Sequence, residues 1–238
     1  MRAARFLVAV LAALVLVAPT AAADARYAGG RHPSVVPADR VRGNTGGRLL
    51  GDWFVENLSR PKTESPFTGG SNLCLDVGRR GKVLIPAGGV ADTSGAIEMA
   101  CTVKVGRPVV LVMTSADCST AEPPPFYAAT AGEQRSCAIA NLKAIDIRSI
   151  TVSVDGGQAV DIFRPRFLEV SPQRDVVFPE DPVFDAAPGP ATFVGAAWMA
   201  EIRGLKRGAH TVEGVATYGT DDGPLVLPFV VHLDVVRR

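Results

Sequence analysis

From residue 82 to residue 236 the chain is a succession of short apolar runs, each stopped by Gly, Pro or Asp. The runs are 82–86, 97–105, 108–114, 150–154, 159–163, 193–202, 210–218 and 224–236. Strand-length segments recurring between turn residues can bury their apolar faces only by stacking sheet on sheet. This predicts an all-β fold: a two-sheet sandwich of Greek-key or jelly-roll type, forming one domain over residues 48–238. Asp155-Gly156 and Asp222-Gly223 sit between paired runs, and both residue types tolerate the positive φ of a tight hairpin turn. Gly106-Arg107 separates two further runs, which predicts another hairpin there, with Cys101 opposite about Met113.

The last hairpin can be read to the level of single faces. In 224–236 the odd residues Leu225, Leu227, Phe229, Val231, Leu233 and Val235 make the stronger apolar face. With Asp222-Gly223 as turn residues, opposed positions sum to 445, so even residues of 210–218 share that face. Val212, Ala216 and Tyr218 then turn inward, His210 goes with them, and His232 goes outward. Two imidazoles on opposite faces do not share a metal. A one-residue slip would reunite them but would bury Glu213 and expose Tyr218. His210 is therefore expected to be a structural residue whose ring nitrogens bond to turn backbone within 205–208.

Arg2 and Arg5 precede thirteen apolar residues, Phe6 to Ala18, and then the small residues of 20–23. That is the layout of an export signal, too short to span a bilayer, and residues 1–23 are expected to be removed. The expected location is secreted or in the extracytoplasmic envelope, with no membrane span after removal. Taking two arginines from 25 basic residues leaves 23 against 24 acids, which gives no basic excess for nucleic acid. Residues 24–47, rich in Gly, Pro and Arg and containing His32, predict a poorly ordered segment. All four cysteines, Cys74, Cys101, Cys118 and Cys137, lie beyond the leader, and an even count in an oxidising compartment implies two disulfides. Sequential pairing, Cys74 with Cys101 and Cys118 with Cys137, is preferred, and no close CxxC spacing argues for a metal.

Two helices are expected. Leu50, Trp53, Phe54 and Leu58 repeat at helical spacing before Pro61, which makes Trp53 a core anchor. Thr130 and Glu133 form a capping box ahead of Ala138, Leu142 and Ile145, a short helix at the sandwich edge. Two long loops remain, 119–129 and 171–192, and loops of that length in a compact domain are commonly functional. In the first, Pro123 to Pro125 predict a polyproline run presenting Phe126 and Tyr127, tied at its base by Cys118, and this is the leading candidate contact surface. In the second, Glu180, Asp181 and Asp185 carry oxygens suited to calcium, but Pro179, Pro182, Pro188 and Pro190 and the absence of EF-hand spacing favour a solvated loop.

No nucleophile elbow, zincin motif, phosphate loop or dinucleotide fingerprint occurs, and Ser115 and Ser119 have no recognisable base. That weighs against catalysis, and no cofactor is expected.

Several fragments in order, Trp53 in its helix, TGGSNLC, GKVLIPAGG, ACTVKVGRPVVLVM, DCS, SVDG and GLKRGAHTV, resemble a group of uncharacterised exported bacterial proteins. The likeness runs from about Trp53 to Val215. It implies a secreted β-sandwich and brings no activity with it. The function expected is therefore a non-enzymatic binding or envelope-associated module contacting an envelope protein or polysaccharide through its end loops. The alternative is a secreted hydrolase acting on a cell-wall or environmental polymer, its carboxylates brought together only by the fold.

Overall fold

A computed structural model describes residues 33–68, 73–81, 83–87 and 97–237. The leader over 1–23 and the first part of the 24–47 segment lie outside the described residues. The strands are β1 (Ser34–Pro37), β2 (Arg40–Val41), β3 (Asn44–Thr45), β4 (Leu73–Val77), β5 (Val83–Ala87), β6 (Ile97–Lys104) and β7 (Val109–Ser119). They continue as β8 (Ile147–Val154), β9 (Val160–Asp161), β10 (Leu168–Val170), β11 (Arg174–Phe178), β12 (Gly189–Arg203), β13 (Gly208–Thr220) and β14 (Gly223–Val236). The helices are α1 (Gly46–Leu58) and α2 (Ala131–Ala144), and among the described residues neither is long and apolar enough to cross a membrane.

The fold is the expected all-β sandwich. One sheet has seven strands, ordered β1-β12-β7-β5-β4, with β10 and β11 sharing the edge of β12 that β1 also uses. The other runs β6-β14-β13-β8-β9. The inner faces meet in a core that includes Leu111, Ala200, Val212, Val231 and Leu233, closed at one end by Ala138 and Leu142 of α2. A second core lies on the outer face of the larger sheet. There α1 buries Leu49, Leu50, Trp53, Phe54 and Leu58 against Val110, Phe193, Ala197 and Met199. Gly195, Ala196 and Ala197 keep the middle of β12 thin enough for α1 on one side and α2 on the other.

The long β13–β14 hairpin carries the expected faces on a shifted turn. Thr220 pairs with Gly223, so opposed residues sum to 443 and the turn residues are Asp221 and Asp222 rather than Asp222 and Gly223. A shift of two leaves the faces unchanged, because strand side chains repeat every two residues. His210 accordingly pairs with Leu233 inside, and His232 with Thr211 outside. His210 Nδ1 meets Asp155 Oδ2 at 2.7 Å and Nε2 meets the Lys206 carbonyl at 2.9 Å. Asp155 and Gly156 both take positive φ, 52° and 66°, in the turn after β8. Asp155 also accepts from the Thr211 N–H (2.9 Å), so one side chain braces the turn, the ring and β13.

Other expectations are corrected. Residues 97–105 and 108–114 do not form a hairpin: β6 pairs parallel with β14, while β7 pairs with β12 in the opposite sheet. The Gly106-Arg107 turn is a crossing between sheets, which locally looks like a hairpin turn. Within 24–47, the described part is ordered, since β1 pairs with β12 and Thr45 caps α1 by accepting the Arg48 N–H. Part of the supposed loop 171–192 is strand: β11 buries Val176 and Phe178 and pairs with the start of β12.

Both disulfides join layers. Cys74–Cys101 ties β4 in one sheet to β6 in the other, and Cys118–Cys137 ties the end of β7 to α2. This is the sequential pairing, and each bridge closes a moderate loop of the unfolded chain.

Candidate functional site

The last turn of β7 and the loop after it build a cleft of about 620 Å³. Near its start β7 alternates in register, Val109 and Leu111 facing the inter-sheet core and Val110 facing α1. Between Met199 and Ala197 of β12 the register then slips, leaving Met113 and Thr114 opposite the single residue Trp198. An extra residue reverses the faces beyond it. Asp117, which would otherwise point into the inter-sheet core, instead shares the α1 side with its partner Gly195. Gly195 has no side chain to spare there: a Cβ would overlap the Phe54 ring.

Glu122 is folded back towards Asp117 by Ser119. The buried Ser119 hydroxyl accepts the N–H groups of Ala121 (3.2 Å) and Glu122 (3.0 Å). Asp117 is 5 % exposed and Glu122 3 %. The carboxyls hydrogen-bond each other. That contact favours an ionised Asp117 and a protonated Glu122, so the pair shares one proton. Desolvation pushes Asp117 up to about 7; desolvation and then the Asp117 charge push Glu122 up to about 9. Among the described residues no N–H or hydroxyl donor reaches Asp117 Oδ2 or Glu122 Oε2, and both atoms are shut from water.

The rest of the cleft is apolar. Phe54, Phe67 and Phe184 form a row of rings on one wall, with centroids 6.0 Å and 5.2 Å apart along it. Pro125 and Phe126 close one end, and Asn141, Ala144 and Ile145 bring the C-terminal half of α2 to the other wall. Asp185 is the third carboxylate of the lining, and among the described residues no Lys, Arg or His joins it. Phe184 and Asp185 both have left-handed backbone, φ 58° and 56°, a conformation that non-glycine residues adopt at a cost and that gathers at functional sites.

The loop 119–129 is held rather than loose. Its Pro123 to Pro125 run is not an extended polyproline segment, because the Phe126 N–H donates to Pro123 O (3.0 Å) and closes a turn. Ser119 bonds Phe126 and Ala128 through its main chain, Asn141 Nδ2 donates to Pro125 O (3.3 Å), and Gln134 bridges Ala128 to Thr192. Phe126 is 39 % exposed and lines the cleft, whereas Tyr127, more exposed, points elsewhere.

Of the acidic candidates, only Asp185 reaches the cleft. Glu180 and Asp181 are exposed apart from it, the Asp181 carbonyl accepting the Lys62 N–H (2.8 Å). Among the described residues no three metal-binding side chains come close enough together to hold an ion. Trp53 is core, edge-on to Phe54 and Phe67 at 5.0 Å and 5.2 Å. The residues sequence reasoning passed over are Asp117 and Glu122. Their signal in DCSTAE is faint: an acid at the end of an apolar strand, beside a paired cysteine, with a second acid after a serine turn.

No family model and no curated protein matches the chain. Among solved structures it is similar to a chain of the "Structure of PbICP-C in complex with falcipain-2", at 10 % identity over 65 % of this chain and 99 % of that one. The TM-score is 0.22, a superposition too loose to bear on fold or function.

Proposed function

We propose that the protein is an exported, non-enzymatic binding module of the secreted or envelope space, of a kind with the exported bacterial proteins its sequence resembles. Its partner is held in the cleft beside the 119–129 loop. The observation that carries this is the cleft: about 620 Å³, walled by four phenylalanines, and anchored by a loop whose base is a disulfide. Concave, mostly apolar sites of this size with a few convergent polar groups are where small ligands bind. Two disulfides suit an oxidising compartment, and the leader-like residues 1–23 supply the route there.

A neutral apolar dye, N-phenyl-1-naphthylamine, tests the reading. Fluorescence enhancement saturating at one dye per chain is expected, with affinity falling at least fivefold in Phe126→Ala. Equal binding by both proteins, or none by either, would remove the cleft as a binding site.

The hydrolase reading gains one support, since two carboxyls do converge on a cleft wall. Their contact counts against the glycosidase form of it. General acid–base pairs acting on glycosides stand about 5 to 9.5 Å apart to admit a nucleophile or water. Sustained product release from cell-wall polymer by the mature protein, abolished in Asp117→Asn, would overturn the non-enzymatic assignment.

A further inference from the structure

Resting on the cleft as a binding site, we propose that its ligand is a small organic cation: a primary ammonium group on an apolar body. The ammonium sits at the Asp117–Glu122 pair and the body lies among the phenyl rings. Three observations converge. Among the described residues the lining holds three carboxylic acids and no basic group, so the site complements positive charge. The wall carries four phenyl rings, whose faces attract cations and whose area suits a hydrocarbon. Finally, Asp117 Oδ2 and Glu122 Oε2 are buried oxygens that no N–H or hydroxyl of the described residues meets. Buried polar atoms are ordinarily satisfied, and one proton shared by two carboxyls leaves acceptor capacity for N–H groups from outside the chain. A primary ammonium supplies three, whereas a quaternary one supplies none.

The proton balance is closed. In the free protein the pair keeps a proton shared between its two carboxyls. The entering ammonium parts the two carboxyls, whose Oδ2 and Oε2 are shut from water in the free protein; its N–H groups take over the donation, the pair releases its proton to solvent, and the cation replaces it. Asp185 is the remaining titratable group of the lining and adds negative charge at the exposed side.

Dansylcadaverine, a primary amine on an aromatic and alkyl body, is the probe, compared with its neutral N-acetyl derivative. On wild-type protein at pH 8 the amine is expected to bind about 10- to 100-fold more tightly, the range of a charge-assisted hydrogen bond. Asp117→Asn/Glu122→Gln should bring the two forms within about threefold, and Asp185→Asn, at an exposed position, should weaken only the amine. Titration calorimetry in phosphate and in Tris should report proton release with the amine and none with the amide. Equal affinity of amine and amide on wild type overturns the ligand class while leaving the cleft as an apolar site. Failure of both to bind, with the dye also excluded, overturns the cleft itself. Tight binding of a neutral-backbone peptide carrying one lysine, with no binding of the free amine, would overturn the small-ligand assignment in favour of a protein partner.

Discussion

Asp117→Asn with Glu122→Gln keeps the shape of the buried pair and removes its two ionisations, so its effect on stability can be worked out. The unfolded carboxyls titrate near 3.8 and 4.5, and burial raises both in the fold, Asp117 to about 7 and Glu122 to about 9. A carboxyl with a raised folded value contributes its full stability below the unfolded value. That contribution drains away as pH climbs towards the folded value, because only the unfolded chain ionises freely in between. Each such group costs about 1.4 kcal/mol per pH unit. From pH 5 to pH 7 the loss is about 3 kcal/mol if the pair keeps one proton, and about 5 kcal/mol if it keeps both. A domain of this size is stable by roughly 5–15 kcal/mol in all, so the change is large. Urea unfolding at pH 5, 6 and 7 is the assay, and the difference between wild type and variant isolates the pair from every other titrating group. The wild type should weaken steadily across this range relative to the variant, which should gain most at pH 7. Curves that stay parallel within about 1 kcal/mol would refute the argument that these carboxyls are held protonated by burial.

Three further outcomes are expected. Gly195→Ala puts a methyl into the Phe54 ring, and should cost about 1–3 kcal/mol in urea unfolding and lower dye affinity, because Phe54 walls the cleft. Asp155→Ala strips the acceptor from His210 and from the Thr211 N–H; a loss of about 1–3 kcal/mol by thermal or urea unfolding is expected, against little change for exposed Asp222→Ala. Breaking Cys118–Cys137 with a double serine variant should cost about 3 kcal/mol and loosen the 119–129 loop, read as faster amide exchange at Phe126 and Ala128.

Features set by neighbours in sequence were legible. The capping box at Thr130 and Glu133 forms as expected, the Glu133 carboxylate accepting the Thr130 N–H at 2.9 Å. The faces of β13 and β14 were correct although the turn was misplaced by one residue, because alternation depends only on odd against even. His210 was readable as a bracket for the same reason. Gly106-Arg107 was not readable, since a turn between paired strands and a turn between stacked sheets use the same residues. The strand Arg174–Phe178 escaped notice because prolines bracket it and only two of its side chains are buried.

What the sequence alone determined is the layered architecture and the way the cysteines staple it, since both follow from short-range periodicity and the closing of moderate loops. What only the tertiary structure decided is the acid pair and its cleft. A bulge whose cause lies in the pairing of β7 with β12 turns Asp117 to the α1 side, a serine turn returns Glu122 to it, and Phe54, Phe67 and Phe184 arrive from distant segments. Strand registry and burial are properties of the assembled sheet, so two ordinary carboxylates in DCSTAE become a shared-proton pair only once the layers have closed over them.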